Sequence, residues 1–420
     1  MLKSNIAWMK KNVPSDLKVW KGMIQDIDWS QVAAKTKLSL QRDKDRITAE
    51  FKEFAAMDTS AKIDWLMNGD RHLGYLYKKD AIAFARREWK GLKSVGYDFV
   101  GWLKIWGGML NMVMKDPMSI MLAVFEYHWF ASYLATPAVV DRSVFGRRGK
   151  LLQADFDMWV AITHWAEDLI ANLIMADAKI GGNQKINKRI IMFDEMTMAQ
   201  MMAGFPNLLG IPYQMIPVFM VSEMDQLTLI PYIDAIESYG LPSDTCPLPT
   251  AECGCAVKDE YPMCGQGFIA SSMPCDGSVM ATSFQDRRFS KFMPSYPLCM
   301  PVRYDDEDTT EMAAADMKDC IHWVEGLTGE TWNWDTYFAT MEKMNECTRL
   351  EMEKWEINKT HYPQLVGSSF ELFRKWNYEM DGGLFPEGLK TQRKICKTMM
   401  ETYEKKLPAY VGGYEKYRAL

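Results

Sequence analysis

Hydrophobic positions in the first part of the chain recur every three or four residues. In "SAKIDWLMNGDRHLGYLYKKDAIAFARREWKGL" (60–92) and "QADFDMWVAITHWAEDLIANLIMADAKI" (153–180) this spacing gathers the apolar side chains on one helical face, which predicts a helical region over 1–185. Within it, Trp89, Trp102, Trp106, Met109, Met112 and Met114 form a greasy stripe. The expectation for that stripe is core packing, because methionine fills irregular gaps well.

Near residue 186 the period changes. "RIIMF" (189–193) is a short apolar run suited to a buried strand, Glu195 to Met202 is amphipathic, and Tyr213 to Val221 is a second apolar run. Strand, helix, strand is the unit of a parallel α/β sheet. "GFIASS" (267–272) and "YPLCMPV" (296–302) predict two more buried strands, and "DGSVMATSFQDRRFSKF" (276–292) between them fits a crossover helix. From Asp308 the pattern is helical again: Asp308 and Glu311 have capping-box spacing, Gly326 and Gly329 mark a stop, and two long helical stretches follow (334–361 and 389–407). The expected fold class is therefore α/β, with a helical N-terminal region (1–185), a small open, mainly parallel sheet flanked by helices (186–307), and a helical C-terminal region (308–420).

Composition narrows the function classes. The chain has 420 residues, 48% of them hydrophobic, enough for a large core. Lys plus Arg number 49 against 55 Asp plus Glu, a net charge of −6, so the basic excess that would neutralise nucleic-acid phosphates is missing. The opening "MLKSNIAWMKKNVPSD" has no apolar run or small-residue cleavage site of a secretory signal. The longest uncharged stretch, 196–222, is broken by Gly204, Pro206, Gly210, Pro212 and Pro217, and the apolar run 117–140 by Glu126 and His128. A cytoplasmic protein that binds neither nucleic acid nor membrane is expected.

The nine cysteines are distributed unevenly. Residues 1–245 contain none, whereas Cys253, Cys255, Cys264 and Cys275 fall within thirty residues, flanked by Cys246 and Cys299. Clustered thiols in a reducing compartment point to metal, cluster or redox chemistry more than to disulfides. The spacings are neither those of paired zinc knuckles nor those of a ferredoxin run. Thiols drawn from separate loops onto one cluster, and thiols merely buried, both stay open on spacing. The histidines (His72, His128, His164, His322, His361) are scattered and read as structural. Asp276, Asp305 and Asp306 read as loop or helix-cap groups, and no catalytic residue is assigned. No GxGxxG, phosphate-binding GxxxxGK, HExxH or GxSxG occurs, so the chain is not expected to hydrolyse ATP itself.

Four segments in order carry a resemblance: "RIIMFDEMTMAQMMAGFPNLLGIPYQMIPVF", "SDTCPLPTAECGCAVKDEY", "GFIASSMPCDGSVMATSF" and "YPLCMPVRYDDEDTTEMAAADMKDCIHWVEGLTGETWNWD". Together, residues 186–415 resemble the first half of a large subunit of the 2-hydroxyacyl-CoA dehydratases, relatives of ATP-dependent benzoyl-CoA reductase. The resemblance implies a [4Fe–4S] cluster held by three thiolates. Cys253, beside Gly254, stands where the family's first cluster cysteine opens a helix, and Cys275 stands at the strand end that carries the second. It further implies an acyl-CoA substrate that receives single electrons through a ketyl radical, a homologous second subunit, and an ATP-dependent activator that donates the electrons. The family's third cysteine lies in a second α/β domain without a counterpart here. Cys246, Cys255, Cys264, Cys299 or a partner chain is expected to supply that ligand. An iron–sulfur subunit of an anaerobic lyase or oxidoreductase is the leading expectation. A non-catalytic subunit of such a complex, or a helical interaction protein without a cluster, is the alternative.

Overall fold

Four short parallel strands form the centre of the structure. The computed structural model describes residues 30, 37, 41, 44, 48, 52, 54–68, 92–136, 149–193, 202–213, 217–218, 221–222, 226–244, 246–271, 276–289, 291–299, 301, 306–364 and 386–406. β1 (Ile190–Phe193), β2 (Leu209–Pro212), β3 (Gly267–Ser271) and β4 (Ser295–Leu298) lie in the order β2-β1-β3-β4, with every neighbouring pair parallel. β1 and β3 are buried at every position, as strands covered on both faces must be. Successive side chains face opposite ways: Ile190, Met192 and Phe268 enter one core, and Ile191, Phe193 and Ile269 a second.

Helices supply both cores. In the N-terminal region these are α1 (Thr59–Asn68), α2 (Leu92–Lys115), α3 (Pro117–Glu126) and α4 (Gly149–Ala176), with a 3-10 turn at His128–Ala135 and a short α5 (Gln184–Asn187) leading into β1. The polar interruptions in the 117–140 run fall where α3 ends and the 3-10 turn begins. Asp116 starts α3, its side chain accepting from the Ser119 amide at 3.1 Å with Pro117 in the first turn. Beyond β2 come α6 (Ile230–Glu237), α7 (Pro247–Val257), α8 (Asp276–Phe289), α9 (Glu307–Thr328), α10 (Trp334–Asn358) and α11 (Pro386–Glu404). α9 packs on the second core through Cys320, Ile321 and Val324, while α11 reaches the first core through Ile395 and Met399 and lies against both α4 and α10. Between α10 and α11 the fully buried Lys354 ammonium meets Glu351 at 2.7 Å and the Gln392 carbonyl at 2.6 Å. Burial lowers its pKa and the carboxylate partly restores it. The fold class is thus α/β, as the sequence pattern predicts. Among the described residues no helix is long and apolar enough to cross a membrane.

Three expectations need correction. The second strand is not Tyr213–Val221 but Leu209–Pro212. Tyr213, Val218 and Val221 are buried as their apolarity requires, yet the chain is helical at 217–218 and 221–222, and Pro217 has no amide to donate to a strand ladder. The helix expected over Glu195–Met202 lies outside the described residues except at Met202. α9 is capped not by Asp308 but by Asp306, whose carboxylate accepts from the Thr309 amide at 2.7 Å. Its C-cap is Gly329, at φ 76°. The aromatic and methionine stripe divides: Met109 and Met112 are buried, Trp102 is half-buried, Trp106 and Met114 are exposed, and Trp89 lies outside the described residues.

Asp177 joins the helical region to the sheet. It follows α4, is fully buried, and accepts from the Tyr127 hydroxyl, the Met263 amide (2.7 Å) and the Lys179 amide (3.1 Å). Burial raises its pKa, and these donors pull it back. Glu167 on α4 is different. Its carboxyl lies against Gly108 of α2, where any Cβ would clash with it, and its Oε1 has no hydrogen-bond partner among the described residues. Burial, reinforced by Asp168, raises its pKa from 4.5 to about 8.

Two outcomes follow from these carboxyl groups. Asp177→Ala strands the buried Tyr127 hydroxyl and the Met263 amide, and is expected to lower the unfolding free energy by about 3 kcal/mol in denaturant titrations. A loss below about 1 kcal/mol would contradict the joining role. Glu167 has a raised folded pKa, so its contribution is fully present below about pH 4.5 and is lost as pH rises through about 8. Glu167→Gln should therefore stabilise the protein at pH 8 by on the order of 2 kcal/mol and flatten the pH dependence of stability across that window.

Candidate cluster site at the C-terminal edge of the sheet

The strand order reverses between β1 and β3, and in open parallel sheets the ligand crevice lies outside the strand ends at such a reversal. At that edge the chain leaves β1 at Phe193, β2 at Pro212, β3 at Ser271 and β4 at Leu298. α7 precedes β3 and α8 follows it. As helices connecting parallel strands, both run antiparallel to the sheet and begin at this edge.

α7 opens at Cys246. This residue is extended (φ −162°, ψ 121°), half-buried, and followed by Pro247, whose fixed φ suits the first helical turn. The Cys246 carbonyl accepts from the Thr250 hydroxyl at 2.9 Å. From Pro249 to Ala256 the helix is buried on all sides. Gly254 makes this possible: a Cβ there would collide with the Tyr232 carbonyl of α6, so only glycine lets the two helices approach so closely.

Cys253 does not open the helix, contrary to the expectation. It lies seven residues in, fully buried, with Ile236 of α6 and Ala281 of α8. Burial, with Glu252 adding to it, pushes its thiol up to about 12. The Cys-Pro pair at 246–247 was the sequence signal that separates the two, since proline prefers the first helical turn. Cys275 lies outside the described residues, one position before α8 begins at Asp276.

The other thiols sort by accessibility. Cys255 and Cys264 are fully buried, and burial holds the Cys264 thiol well above its usual range, with Asp177 adding to the effect. Burial likewise raises Cys320 and Cys396 to about 12 and Cys347 to about 11. Cys299 is exposed just past β4, and its amide donates to Asp316 at 2.6 Å. Cys299 also lines a cleft of about 510 Å³ between β4 and α8, together with Ala270, Ser271, Val279, Thr282 and Ser295. Among the described residues no group of three or more His, Cys, Asp or Glu side chains is placed to hold a metal ion. Of the carboxylates, Asp306 is the cap of α9, Asp276 is the first residue of α8, and Asp305 lies outside the described residues.

Two of the histidines, His128 and His164, have partners in the structure. The His128 amide donates to Glu260 at 2.9 Å, and the His164 ring lies between the Lys104 carbonyl (3.3 Å) and Glu387 (3.4 Å). His322 and His361 are exposed, and His72 lies outside the described residues.

A family model described as 2-hydroxyglutaryl-CoA dehydratase, D-component, matches residues 226–420. A search of curated proteins gave no match to the chain. The matched stretch begins at the 3-10 turn before α6 and includes Cys246, Cys275 and Cys299. It leaves out β1, β2 and the N-terminal helices, so it starts forty residues later than the resemblance seen in the sequence. Residues 226–420 of this chain are thus similar to the 2-hydroxyacyl-CoA dehydratase family.

Proposed function

We propose that the chain is an iron–sulfur subunit of an anaerobic 2-hydroxyacyl-CoA dehydratase or benzoyl-CoA reductase-like enzyme. The observation that carries this reading is the pairing of a family match over residues 226–420 with a cysteine at the N-terminus of α7, on the ligand-binding edge of the sheet. α7 and α8 pack together, with Cys253 and Ala281 in one apolar cluster. Counting back seven residues along α7 gives Cys246, which at a rise of about 1.5 Å per residue stands about 10 Å from Cys253 along the helix, at its N-terminus. The positive end of α7 favours the thiolate form that iron requires, and Cys275 directly precedes α8 in the sequence.

The donor set at this edge fits a cluster. We assign Cys246 and Cys275 as ligands, leave Cys253 in the core, and take Cys299, the other accessible cysteine at the same edge among the described residues, as the third. A [4Fe–4S] cluster bound there would supply single electrons at low potential. The chain's own contribution is to exclude water, through the fully buried strands β1 and β3, and to offer a partly polar cleft beside Cys299 for the thioester end of an acyl-CoA. The absence of a phosphate-binding loop motif from the sequence supports a separate ATP-dependent activator. The family's description as a D-component supports a homologous second subunit.

Iron and sulfide analysis of the anaerobically purified native complex is expected to give about four irons per cluster. Cys246→Ser and Cys275→Ser should each remove most of the iron and the reduced-state electron paramagnetic resonance signal, while Cys253→Ala keeps both. An iron-free native complex would reject the iron–sulfur reading. Loss of activity in neither cysteine variant, with assembly intact, would favour a non-catalytic subunit.

A further inference from the structure

A cleft of about 490 Å³ opens where α2, α4 and the first turn of α11 meet. None of the residues around it belongs to the thiol-rich stretch or to a strand. α2 contributes Gly107 and Gly108, which carry no side chains into it, and three carboxyl groups stand around it: Glu167, Asp168 and Glu387.

Two of the three are engaged. Asp168 is paired with the Lys115 ammonium, and Glu387 lies 3.4 Å from the His164 ring. Glu167 differs. Its residue is only 8% exposed, its Oε1 is shut away from solvent without a hydrogen-bond partner, and it has no ion pair among the described residues. A carboxyl buried in this way costs free energy until a donor reaches it. Space fixes its place: the carboxyl fills the position that a Cβ at Gly108 would take.

We infer that this cleft binds a small primary amine, whose ammonium group donates to the Glu167 carboxylate. The sign of the ligand follows from the surroundings. With Glu167 ionised, three carboxylates outnumber the two lysines at the cleft, Lys104 and Lys115, so a cation is drawn in and an anion is not. One free carboxylate suits a monovalent cation; a divalent metal ion wants several such donors, and among the described residues none are so grouped. Oε1 is sealed off, so Glu167 offers the cleft a single oxygen. A compact ammonium needs only one, whereas a guanidinium fork uses two.

Binding must also move a proton. Burial, reinforced by Asp168, raises the Glu167 carboxyl to about 8, so at pH 7 it is mostly protonated and an arriving ammonium displaces that proton. The groups that face it are His164 and Asp168 on α4, Lys104 and Lys115 on α2, Glu387 on α11 and the Tyr133 hydroxyl of the 3-10 turn.

Isothermal titration calorimetry of the full chain with n-butylamine tests the site. At pH 8 a saturable one-to-one heat is expected, and sodium butyrate, similar in size and opposite in charge, should give none. At pH 7, titrations in phosphate and in HEPES should differ by the buffer heat of close to one proton released per amine bound. The Kd should fall about tenfold between pH 6 and pH 7 and level off above about pH 8. Glu167→Gln should abolish binding and proton release together. Gly107→Leu, at an exposed position where a Cβ meets nothing within 4 Å, should hold or raise the thermal midpoint yet weaken binding at least tenfold by filling the cleft. No saturable heat up to about 10 mM amine would overturn the inference. So would equal binding of butyrate, binding without proton release, or affinity that survives either variant.

Discussion

A buried carboxylate at residue 177 is the interaction on which the arrangement depends. It gathers the Tyr127 hydroxyl from the N-terminal helices, the Met263 amide from the segment entering β3, and the Lys179 amide from its own turn. An ionisable group taken wholly out of water persists only when such donors surround it. A second carboxylate, Glu260, works on the same segment by accepting from the His128 amide and from the Tyr232 hydroxyl at 2.6 Å. The Glu260 carbonyl accepts from the Trp129 indole at 2.8 Å. The chain between α7 and β3 is thereby fixed to the helical region. With its C-terminal end held and its middle locked against α6 at Gly254, α7 has a defined place from which to present Cys246 at the sheet edge.

Strands and helices were legible where the physics is local. β1, β3, β4, α4, α8, α10 and α11 follow from apolar runs and helical periods, and Gly329 stops α9 because its backbone enters the left-handed region. β2 was misplaced because an apolar run reports burial and not conformation, and Pro217 weighs against a strand through Tyr213–Val221. The cap of α9 moved by two residues because several acidic residues at 305–308 satisfy the same preference.

The site was only half legible. The sequence located the thiol-rich stretch but ranked its cysteines by neighbourhood, favouring Cys253 beside Gly254. In the structure that glycine explains a helix–helix approach, and Cys253 is buried by the same contact. Accessibility at a helix N-terminus depends on which residue precedes the first turn, and that is a tertiary fact as well as a local one. The same lesson applies to α2. Its methionine and tryptophan stripe was expected to be interior, yet Trp106 and Met114 lie on the face turned away from α4, because a single helix has only one side toward its own core.

The central claim is that Cys246, and not Cys253, shares the crevice with Cys275. Treating iron-free protein anaerobically with dibromobimane tests it directly, since the reagent fluoresces strongly only when neighbouring thiols capture both of its arms. Peptide mapping is expected to recover a fluorescent link between the peptides carrying Cys246 and Cys275, with Cys253 unmodified. A link from Cys253 to Cys275, or no link from Cys246 to any other thiol of the edge, would contradict the account.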